Sequence, residues 1–448
     1  MRLAEAAQPL NARLVGQDRE FRGCSTDSRK LNSGELFIAL RGQRFDGHDF
    51  VMEAERAGAG AALVEAAPPS ATLPLLLVPD TRKAMGALAA HWRARFDIPV
   101  IAITGSNGKT TVKELVSSIL SRRAPVSATR GNLNNDIGVP ITLFALGEEH
   151  RFAVVEMGAN HKGEIAYLTR MARPTVAVIT QCAPAHLEGF GSIEGVARAK
   201  AEIFEGLPAG GTAVINADDH YADLWRGTGT GLRRLSFGMD RPADVTVRDL
   251  RPDFGFEQAR FTLVTPRGAV DVMLPLPGRH NIMNALAAAA CAEAVGVSLE
   301  EIRSGLESMR PVKGRLQSKP GFRRSRILDD SYNANPASLR AALDVLREYP
   351  GRRWLVLGDM GELGLDAADM HHDAGEAARE CGVEQLFAFG DLSRKAAEGF
   401  GAGARHFASL EDLVRAVRAE LAPEVTVLVK GSRAMAMERI VDALCAGN

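Results

Sequence analysis

Short apolar runs of strand-forming residues alternate with helical stretches along almost the whole chain, and this alternation restricts the fold more than any other feature. Before position 320 the runs lie at 36–40, 61–64, 75–78, 100–103, 153–155, 176–179 and 213–215. After position 320 the pattern restarts, with runs at 327–328, 354–357, 386–389 and 425–429. Because strands that alternate with helices favour parallel sheets covered by helices, the sequence predicts an α/β fold with mainly parallel sheets.

Two breaks divide this pattern into three segments of ordinary domain size. Phe96-Asp-Ile-Pro99 precedes the strand that leads into a glycine loop, and Arg310-Pro-Val-Lys-Gly314 ends a helical pattern. We therefore predict a small N-terminal α/β domain at residues 1–97, a central P-loop ATPase-like domain with a mainly parallel sheet at 98–312, and a C-terminal Rossmann-like α/β domain at 313–448.

Charge and cysteine content exclude several classes of protein. The chain has 54 Lys plus Arg and 55 Asp plus Glu, so its net charge of −1 attracts neither nucleic acid nor an anionic membrane. The five cysteines are far apart and never in C-x-x-C spacing, which indicates a reducing, cytoplasmic location without a disulfide framework or a zinc site. The most apolar helical stretch, at 282–297, contains Asn284 and Glu293 and is too short to cross a bilayer. We expect a soluble protein with no nucleic-acid partner and no membrane insertion.

The strongest chemical signal is a buried-strand pattern that leads into a glycine loop and then a helix. Such a turn aims backbone N–H groups and a helix N-terminus at phosphate, while Lys109 neutralises phosphate charge and the Thr110 hydroxyl can hold Mg²⁺. The full P-loop pattern needs glycine at 103, where this chain has Ile103, so the loop is a shortened variant. A structural turn with a surface lysine stays open as an alternative. The predicted nucleotide-binding residues of the loop are Thr104, Gly105, Ser106, Asn107, Gly108, Lys109, Thr110 and Thr111.

Three further residues follow the loop at places where α/β proteins bind ligands. Glu156 ends a strand, where a carboxylate faces the ligand crevice and suits Mg²⁺. His186 lies in the loop after another strand, and Lys200 lies in a helical stretch. Alone, His186 is more typical of a hydrogen-bonded loop histidine, and Lys200 of a solvated lysine.

Asparagines cluster before two helical stretches. Asn134 and Asn135 belong to the turn Gly131-Asn-Leu-Asn-Asn-Asp-Ile-Gly-Val-Pro140, and Asn281 and Asn284 share one helix face at i, i+3 spacing. In both places the side chains could cap the helix or present amides to a ligand.

Polar residues also follow three strands of the last segment. Leu328-Asp-Asp-Ser-Tyr-Asn-Ala-Asn-Pro336 lies at a strand end, where α/β ligands bind. Val429-Lys-Gly-Ser-Arg433 places a cation at each end and a hydroxyl between them, which suits a substrate carboxylate, although a structural turn stays open. Gly358-Asp-Met-Gly-Glu-Leu-Gly364 has the wrong spacing for a dinucleotide fingerprint, so we interpret it as a tight strand exit and not an NAD site.

Together these segments resemble the Mur ligase family, ATP-dependent enzymes that build the peptidoglycan stem peptide, and the match spans nearly the whole chain. The segments at 131–140, 156–161, 185–190, 330–336 and 430–433 are most similar to the member that adds D-alanyl-D-alanine to UDP-N-acetylmuramoyl-tripeptide. The resemblance implies a cytoplasmic enzyme, expected as a monomer, that forms this amide through an acyl phosphate with ATP and two Mg²⁺ ions.

Two alternatives stay open. The first is another ligase of the same superfamily: either a folylpolyglutamate synthase or the Mur ligase that adds the third residue, whose Asp-Asn-Pro-Arg motif this chain lacks. The second is a non-catalytic P-loop module.

The resemblance also implies roles by position. It assigns catalysis and metal binding to Lys109, Thr110, Glu156, His186 and Lys200, with Lys200 expected to be carbamylated. The residues assigned to ATP beyond the loop are Asn281, Asn284, Arg315 and Asp330. Those assigned to the substrates are Ser28, Arg29, Asp46 and His48 on the uridine side, Asn134 and Asn135, and Asn333, Asn335, Lys430, Ser432 and Arg433 near the incoming dipeptide.

Overall fold

Four β-sheets organise the part of the chain that the computed structural model describes, residues 1–42, 45–184, 187–251 and 257–445. Three of them are mainly parallel and one is antiparallel. The predicted α/β fold with mainly parallel sheets is therefore confirmed. The domain boundaries after residues 97 and 312 remain predictions.

The N-terminal sheet has five strands in the spatial order β1-β5-β4-β3-β2. The strands are β1 (Arg13–Val15), β2 (Cys24–Ser25), β3 (Leu36–Ile38), β4 (Ala61–Val64) and β5 (Leu75–Leu77), and the helices are α1 (Leu3–Leu10), α2 (Val51–Arg56) and α3 (Thr81–Arg93). Strand β1 is antiparallel to β5, and the other neighbours are parallel.

The central sheet has six parallel strands in the order β11-β10-β9-β6-β8-β7. The strands are β6 (Val100–Thr104), β7 (Val126–Ala128), β8 (Phe152–Glu156), β9 (Val176–Ile179), β10 (Thr212–Asn216) and β11 (Arg233–Phe237). The helices are α4 (Lys109–Leu120), α5 (Gly138–Phe144), α6 (Glu164–Ala172), α7 (Leu187–Phe190), α8 (Ile193–Ala201), α9 (Ala222–Arg226), α10 (Arg279–Ala294) and α11 (Leu299–Glu307). Helix α3 packs against α5 and α6, which joins the N-terminal and central sheets.

The antiparallel sheet was not predicted. It comprises β12 (Thr246–Arg251), β13 (Ala259–Thr265) and β14 (Gly268–Leu274). Burial alternates along β13, as expected for a sheet that covers the core with one face, whereas the central strands β6, β8, β9 and β10 are buried along their whole length. Strand β13 therefore gives no continuous apolar run, the sequence pattern from which the other strands were predicted.

The predicted apolar helical stretch at 282–297 corresponds to α10, which is buried in the core between the central and antiparallel sheets. Its apolar character therefore reflects packing on several sides. Among the described residues, no helix combines the length and apolar character that a bilayer span requires.

The last sheet has six strands in the order β15-β16-β20-β17-β18-β19. The strands are β15 (Gln317–Pro320), β16 (Arg326–Asp330), β17 (Arg352–Gly358), β18 (Gln385–Phe389), β19 (Ala404–Phe407) and β20 (Val425–Lys430), and only β15 is antiparallel to its neighbour. The helices are α12 (Pro336–Arg347), α13 (Ala367–Glu380), α14 (Ser393–Phe400), α15 (Leu410–Glu420) and α16 (Glu438–Cys445). Apolar cores cover both faces.

Helix α4, which begins in the glycine loop, is held in place by very close packing against α11. A Cβ added to Gly305 would lie 2.3 Å from the Cα atom and 2.7 Å from the backbone nitrogen of Ile119. Backbone atoms cannot move aside as a flexible side chain can, so the two helices approach this closely only because position 305 is glycine.

We expect Gly305→Ala to destabilise the protein by about 1–3 kcal/mol, because the added methyl group forces α4 and α11 apart. Gly227→Ala is the matched control, since its Cβ would meet its nearest neighbours at 3.6 Å and its φ is −79°. Thermal and urea denaturation should show a lower midpoint for Gly305→Ala only. Equal midpoints for the two variants would contradict the packing argument.

Candidate active site

A cleft of about 2120 Å³ lies between the central and last sheets. It is bordered by the loops that follow β6, β8, β16 and β20, at the carboxyl ends of parallel strands, where α/β proteins bind ligands. The sequence-predicted residues that line it are Ser106, Asn107, Gly108, Lys109, Thr110, Thr111, Asn134, Asn135, Glu156, Lys200, Asn281, Asn284, Arg315, Asp330, Asn333, Asn335, Lys430, Ser432 and Arg433. Thr104 and Gly105 are not among the lining residues, and His186 lies outside the described residues.

The glycine loop has the backbone geometry of an anion-binding turn. Gly108 precedes α4 with φ +82°, and a Cβ there would lie 2.4 Å from the side-chain oxygen of Asn284. Gly105 has φ +153°, and a Cβ there would lie 1.8 Å from the Thr180 hydroxyl, which donates a hydrogen bond to the Asn107 carbonyl. The first turn of α4 therefore borders the cleft without a capping side chain, which leaves backbone N–H groups for an anionic ligand.

Lys109 folds back over the loop. Its Nζ donates to the carbonyl oxygens of Gly105 at 2.6 Å and Ser106 at 3.4 Å. Burial of the ammonium group lowers the pKa of Lys109, and the positive charge of Arg315 lowers it further, although Glu156 acts in the opposite direction. The cation is thus stabilised only in part, and an anionic ligand would complete its environment.

Glu156 is a buried carboxylate with one unused oxygen. The side chain is 2% exposed, and its Oε1 accepts a hydrogen bond from Asn134 Nδ2 at 2.8 Å. Its Oε2 is buried and has no hydrogen-bond partner within the described ranges. A buried carboxylate oxygen without a partner is costly, so this atom is suited to a cation that binds in the cleft. The Thr110 hydroxyl also borders the cleft, and carboxylate and hydroxyl oxygens are ligands of the kind that Mg²⁺ prefers.

Two residues that the sequence analysis missed hold Glu156 in place. The Thr129 hydroxyl accepts a hydrogen bond from the Glu156 backbone nitrogen at 3.0 Å, and the buried Lys113 Nζ donates to the Thr129 carbonyl oxygen at 2.9 Å. The side chain of Lys113 also pairs with Glu114. Lys113 lies one helical turn after Lys109, and this spacing could have indicated that it lies near the site. A lysine on a helix is usually solvated, however, so the spacing alone was not sufficient.

Lys200 is buried in the cleft wall, 4% exposed, and is not the solvated lysine that its isolated position suggested. Its pKa falls to about 7, first because burial disfavours the ammonium form and then because Lys109 adds positive charge nearby. At pH 8 its amine is therefore mostly uncharged.

The last sheet contributes a buried ion pair to the opposite wall. Lys430 Nζ pairs with Asp330 and donates to the Asn333 carbonyl oxygen at 3.0 Å. Burial raises the pKa of Asp330, although Lys430 opposes that shift. His280, which the sequence analysis quoted but did not single out, also lines the cleft, and burial together with the Lys430 charge lowers its pKa to about 4.

Two contacts cross the cleft between the glycine loop and the last sheet. The amides of Asn107 and Asn335 donate to each other at 3.3 and 2.8 Å. Arg315 donates to the Thr110 hydroxyl at 3.0 Å, and its guanidinium carbon lies 4.4 Å from the centre of the Tyr332 ring. The Nε of Arg315 is buried and has no partner in the described part of the chain, so the guanidinium retains a donor for a ligand.

The four candidates for the uridine side lie in the N-terminal segment and do not line this cleft. Ser28 donates to Glu53 at 2.9 Å, and the Arg29 side chain forms two hydrogen bonds with Asp27. His48 accepts from the Glu65 backbone nitrogen through Nε2, so its Nδ1 donates to Asp46 at 2.6 Å. Their role in binding remains a prediction.

Sequence comparisons show which proteins the chain is similar to. The family models described as Mur ligase family, catalytic domain; Mur ligase middle domain; and Mur ligase, glutamate ligase domain match residues 20–93, 103–292 and 314–433. The UDP-N-acetylmuramoyl-tripeptide--D-alanyl-D-alanine ligase of Escherichia coli (strain K12) is 46% identical over 99% of this chain and 98% of the relative.

Two solved structures share the fold along almost the whole chain. MurF from Acinetobacter baumannii has a TM-score of 0.92 and 39% identity, covering 99% of this chain and 98% of that one. MurF ligase from Thermotoga maritima in complex with ADP has a TM-score of 0.84 and 26% identity, covering 94% of this chain and 97% of that one.

We expect Lys109→Ala to reduce ATP turnover by about 100-fold or more, since it removes the cation placed to offset phosphate charge. The thermal midpoint of the ligand-free protein should not fall, because the substitution also removes a charged group that burial disfavours in the folded protein. Lys83→Ala, at an 86% exposed side chain outside the cleft, is the control. Near-normal turnover in Lys109→Ala would show that the loop is only structural.

Proposed function

The chain belongs to the Mur ligase family, and we propose that it joins D-alanyl-D-alanine to UDP-N-acetylmuramoyl-tripeptide at the expense of ATP. The observation that carries this proposal is the cleft, which brings the glycine loop, Glu156 and Lys200 opposite the strand-end loops of the last sheet. The relatives named UDP-N-acetylmuramoyl-tripeptide--D-alanyl-D-alanine ligase in Escherichia coli and Bacillus subtilis are 46% and 35% identical to this chain, each over 99% of its length. Such full-length similarity favours this reaction over that of a folylpolyglutamate synthase or the Mur ligase that adds the third residue.

The reaction has two steps. First, an oxygen of the tripeptide's terminal carboxylate attacks the γ-phosphorus of ATP. The bond between that phosphorus and the oxygen that bridges it to the β-phosphate breaks, which releases ADP and gives an acyl phosphate. Then the uncharged dipeptide amine attacks the acyl carbon, the bond from that carbon to the phosphate oxygen breaks, phosphate departs, and the nitrogen loses one proton to give the amide. Phosphoryl transfer depends mainly on positioning and charge neutralisation, so the side chains act mainly through their charges and hydrogen bonds.

The cleft residues divide this work between them. The glycine loop and Lys109 hold the β- and γ-phosphates, and Arg315 reaches the transferred group from the last sheet. Asn281, Asn284 and Asp330 hold the rest of ATP. The residues that would hold Mg²⁺ are Thr110, Glu156, His186 and a carbamylated Lys200, and two bound ions would neutralise the charge on the phosphates. Asn134 and Asn135 contact the substrate on the central side.

The remaining substrate contacts lie at the two ends of the molecule. Ser28, Arg29, Asp46 and His48 bind the uridine side in the N-terminal domain. Asn333, Asn335, Lys430, Ser432 and Arg433 bind the dipeptide, with their cations toward its carboxylate. We place the protein in the cytoplasm as a monomer, and the free state of all five cysteines is compatible with a reducing compartment.

The test of this function is phosphate release from ATP. We expect rapid release only when UDP-N-acetylmuramoyl-tripeptide and D-alanyl-D-alanine are both present, with one phosphate released for each pentapeptide formed. Mass spectrometry would measure the UDP-N-acetylmuramoyl-pentapeptide formed, and its amount divided into the released phosphate gives that ratio. Slow release indifferent to both substrates is the outcome for a non-catalytic P-loop module and would contradict the proposal.

Carbamylation of Lys200 converts a cation into an anion with oxygen atoms. The uncharged amine of Lys200 adds to CO₂ and releases one proton, and the carbamate then resembles a long glutamate. An ammonium group would repel Mg²⁺, whereas carbamate oxygens are suitable ligands. The pKa of about 7 supports this step, because the amine is mostly uncharged above that pH.

We expect Lys200→Ala to be folded, nearly inactive and partly rescued by formate. With ¹³C-bicarbonate, the wild-type protein should give a carbamate signal by NMR that Lys200→Ala lacks and that fades as the pH falls through about 7. Lys395→Ala, at a half-exposed side chain paired with Glu398, is the control. Full activity in Lys200→Ala, or no carbamate signal in the wild type, would remove Lys200 from the site.

A further inference from the structure

A tight turn at residues 312–316, directly before β15, carries Arg315 to the cleft. Both neighbours of Arg315 have left-handed backbones, with φ +72° at Gly314 and +50° at Leu316. Leucine rarely adopts this conformation, and here the Leu316 nitrogen donates to the buried carboxylate of Asp330 at 3.2 Å. Contacts with the rest of the last sheet therefore hold the turn, and with it the backbone of Arg315, in place.

Tyr332 lies directly against this turn. Strands β15 and β16 are antiparallel neighbours, so the turn before β15 and the segment after β16 meet at the same edge of the sheet. The Tyr332 nitrogen donates to the Gly314 carbonyl oxygen at 3.1 Å, and a Cβ added to Gly314 would lie 3.2 Å from the Cβ of Tyr332. These close backbone contacts fix the position of Tyr332 relative to Arg315.

The ring of Tyr332 supports the guanidinium group of Arg315. The guanidinium carbon lies 4.4 Å from the centre of the ring, within the distance of about 6 Å at which an aromatic face attracts a cation. A terminal nitrogen of the same group donates to the Thr110 hydroxyl across the cleft at 3.0 Å. The guanidinium group therefore lies between the ring on the last sheet and the first turn of α4, beside the glycine loop.

An aromatic ring holds a guanidinium group without using its N–H donors. The ring attracts the cation through its face, whereas a carboxylate partner accepts one or two of the N–H groups and neutralises the charge. Throughout the described ranges, no carboxylate hydrogen-bonds to Arg315, and its buried Nε has no partner. Arg433 is a contrast, because its Nη1 donates to Glu438 at 2.9 Å. The support of Arg315 thus leaves both its charge and its Nε for a ligand.

Two charged groups act on Arg315 from nearby. Asp330 attracts the guanidinium group, and Lys109 repels it. The Asp330 carboxylate is already engaged, since it accepts from the Leu316 nitrogen and pairs with Lys430. The ring of Tyr332 is therefore the side chain of the last sheet that restrains the guanidinium group by direct contact.

We propose that Tyr332 is a positioning residue for phosphoryl transfer, and that its ring holds Arg315 at the transferred group. This inference rests on the proposed function. The ring performs this task and the hydroxyl does not, because the guanidinium group contacts the face of the ring. Arg315 keeps its charge and its Nε donor for the oxygens of the phosphoryl group as that group moves from ATP to the tripeptide.

The test compares two substitutions of Tyr332. In Tyr332→Leu, which removes the ring, kcat for phosphate release should fall about 3- to 30-fold, the range expected for a cation–π contact. The KM values for the UDP-tripeptide and for D-alanyl-D-alanine should stay within about twofold, because Arg315 acts on the transferred group. Tyr332→Phe keeps the ring and should retain kcat within about twofold.

Unchanged kcat in Tyr332→Leu would overturn the proposal, and so would a loss in Tyr332→Phe equal to that in Tyr332→Leu. Thermal denaturation establishes that each variant is folded at the assay temperature. If Tyr332→Leu does not fold, Tyr332→Met, which fills more of the volume of the ring, takes its place with the same expected loss.

A double-mutant cycle shows whether the ring acts through Arg315. In the Arg315→Ala background, Tyr332→Leu should change the residual kcat by less than about twofold, since the group that the ring holds is gone. A merely structural role of the ring would lower kcat by the same factor in both backgrounds, and that result would contradict the proposal.

Phe322→Leu is the matched control. Phe322 is also partly buried, its ring centre lies 4.3 Å from the guanidinium carbon of Arg418, and it does not line the cleft. Removal of this ring should leave kcat unchanged. If kcat fell as far as in Tyr332→Leu, loss of any arginine–ring contact in the last sheet would lower turnover through the fold, and the proposal would be wrong.

Failure of the proposed function gives a different result. If wild-type phosphate release did not depend on the UDP-tripeptide and D-alanyl-D-alanine, both the proposed function and this inference would be wrong. If release depended on both substrates but Tyr332→Leu kept the wild-type kcat, only this inference would be wrong.

Discussion

Buried positive charge at the edge of two facing sheets is the constraint on which the rest of the site depends. Lys109 and Lys200 have lowered pKa values because both are buried and because neighbouring cations repel them, Arg315 for Lys109 and Lys109 for Lys200. Glu156 offsets only part of this charge. The charge of Lys109 is therefore costly in the empty protein and becomes favourable when a polyphosphate enters, whereas Lys200 is mostly uncharged above a pH of about 7.

The same constraint explains why the site spans two sheets. The central sheet supplies the glycine loop and the Glu156 carboxylate, whereas the last sheet supplies Arg315 and the Lys430–Asp330 ion pair. The Asn107–Asn335 amide pair and the Arg315 contact to Thr110 connect these halves. Neither half contains all the groups that the two-step reaction requires, so the relative position of the sheets is part of the chemistry.

Much of the fold followed from local patterns. A continuous apolar run in a parallel strand reports burial on both faces, so β4 and β9 lie within the bounds expected from the sequence. The antiparallel sheet was missed because its middle strand, β13, alternates buried and partly exposed residues and gives no continuous apolar run. The strand exit after β17 was recognised, whereas the hydrogen bonds that hold it, from Met360 to His371 and from Ser393 to Asp359, join segments that are distant in sequence.

The sequence by itself determined the elements and the chemistry of single segments: which runs form strands, where the glycine loop turns into a helix, and which residue types could meet phosphate. Those properties depend on neighbours a few residues away. The tertiary structure alone decided that Lys200 is buried beside Lys109, and that one oxygen of Glu156 has no partner among the described residues. The physical reason is that burial and electrostatic interaction depend on distance in space, and these residues come from segments that only the packing of the sheets brings together.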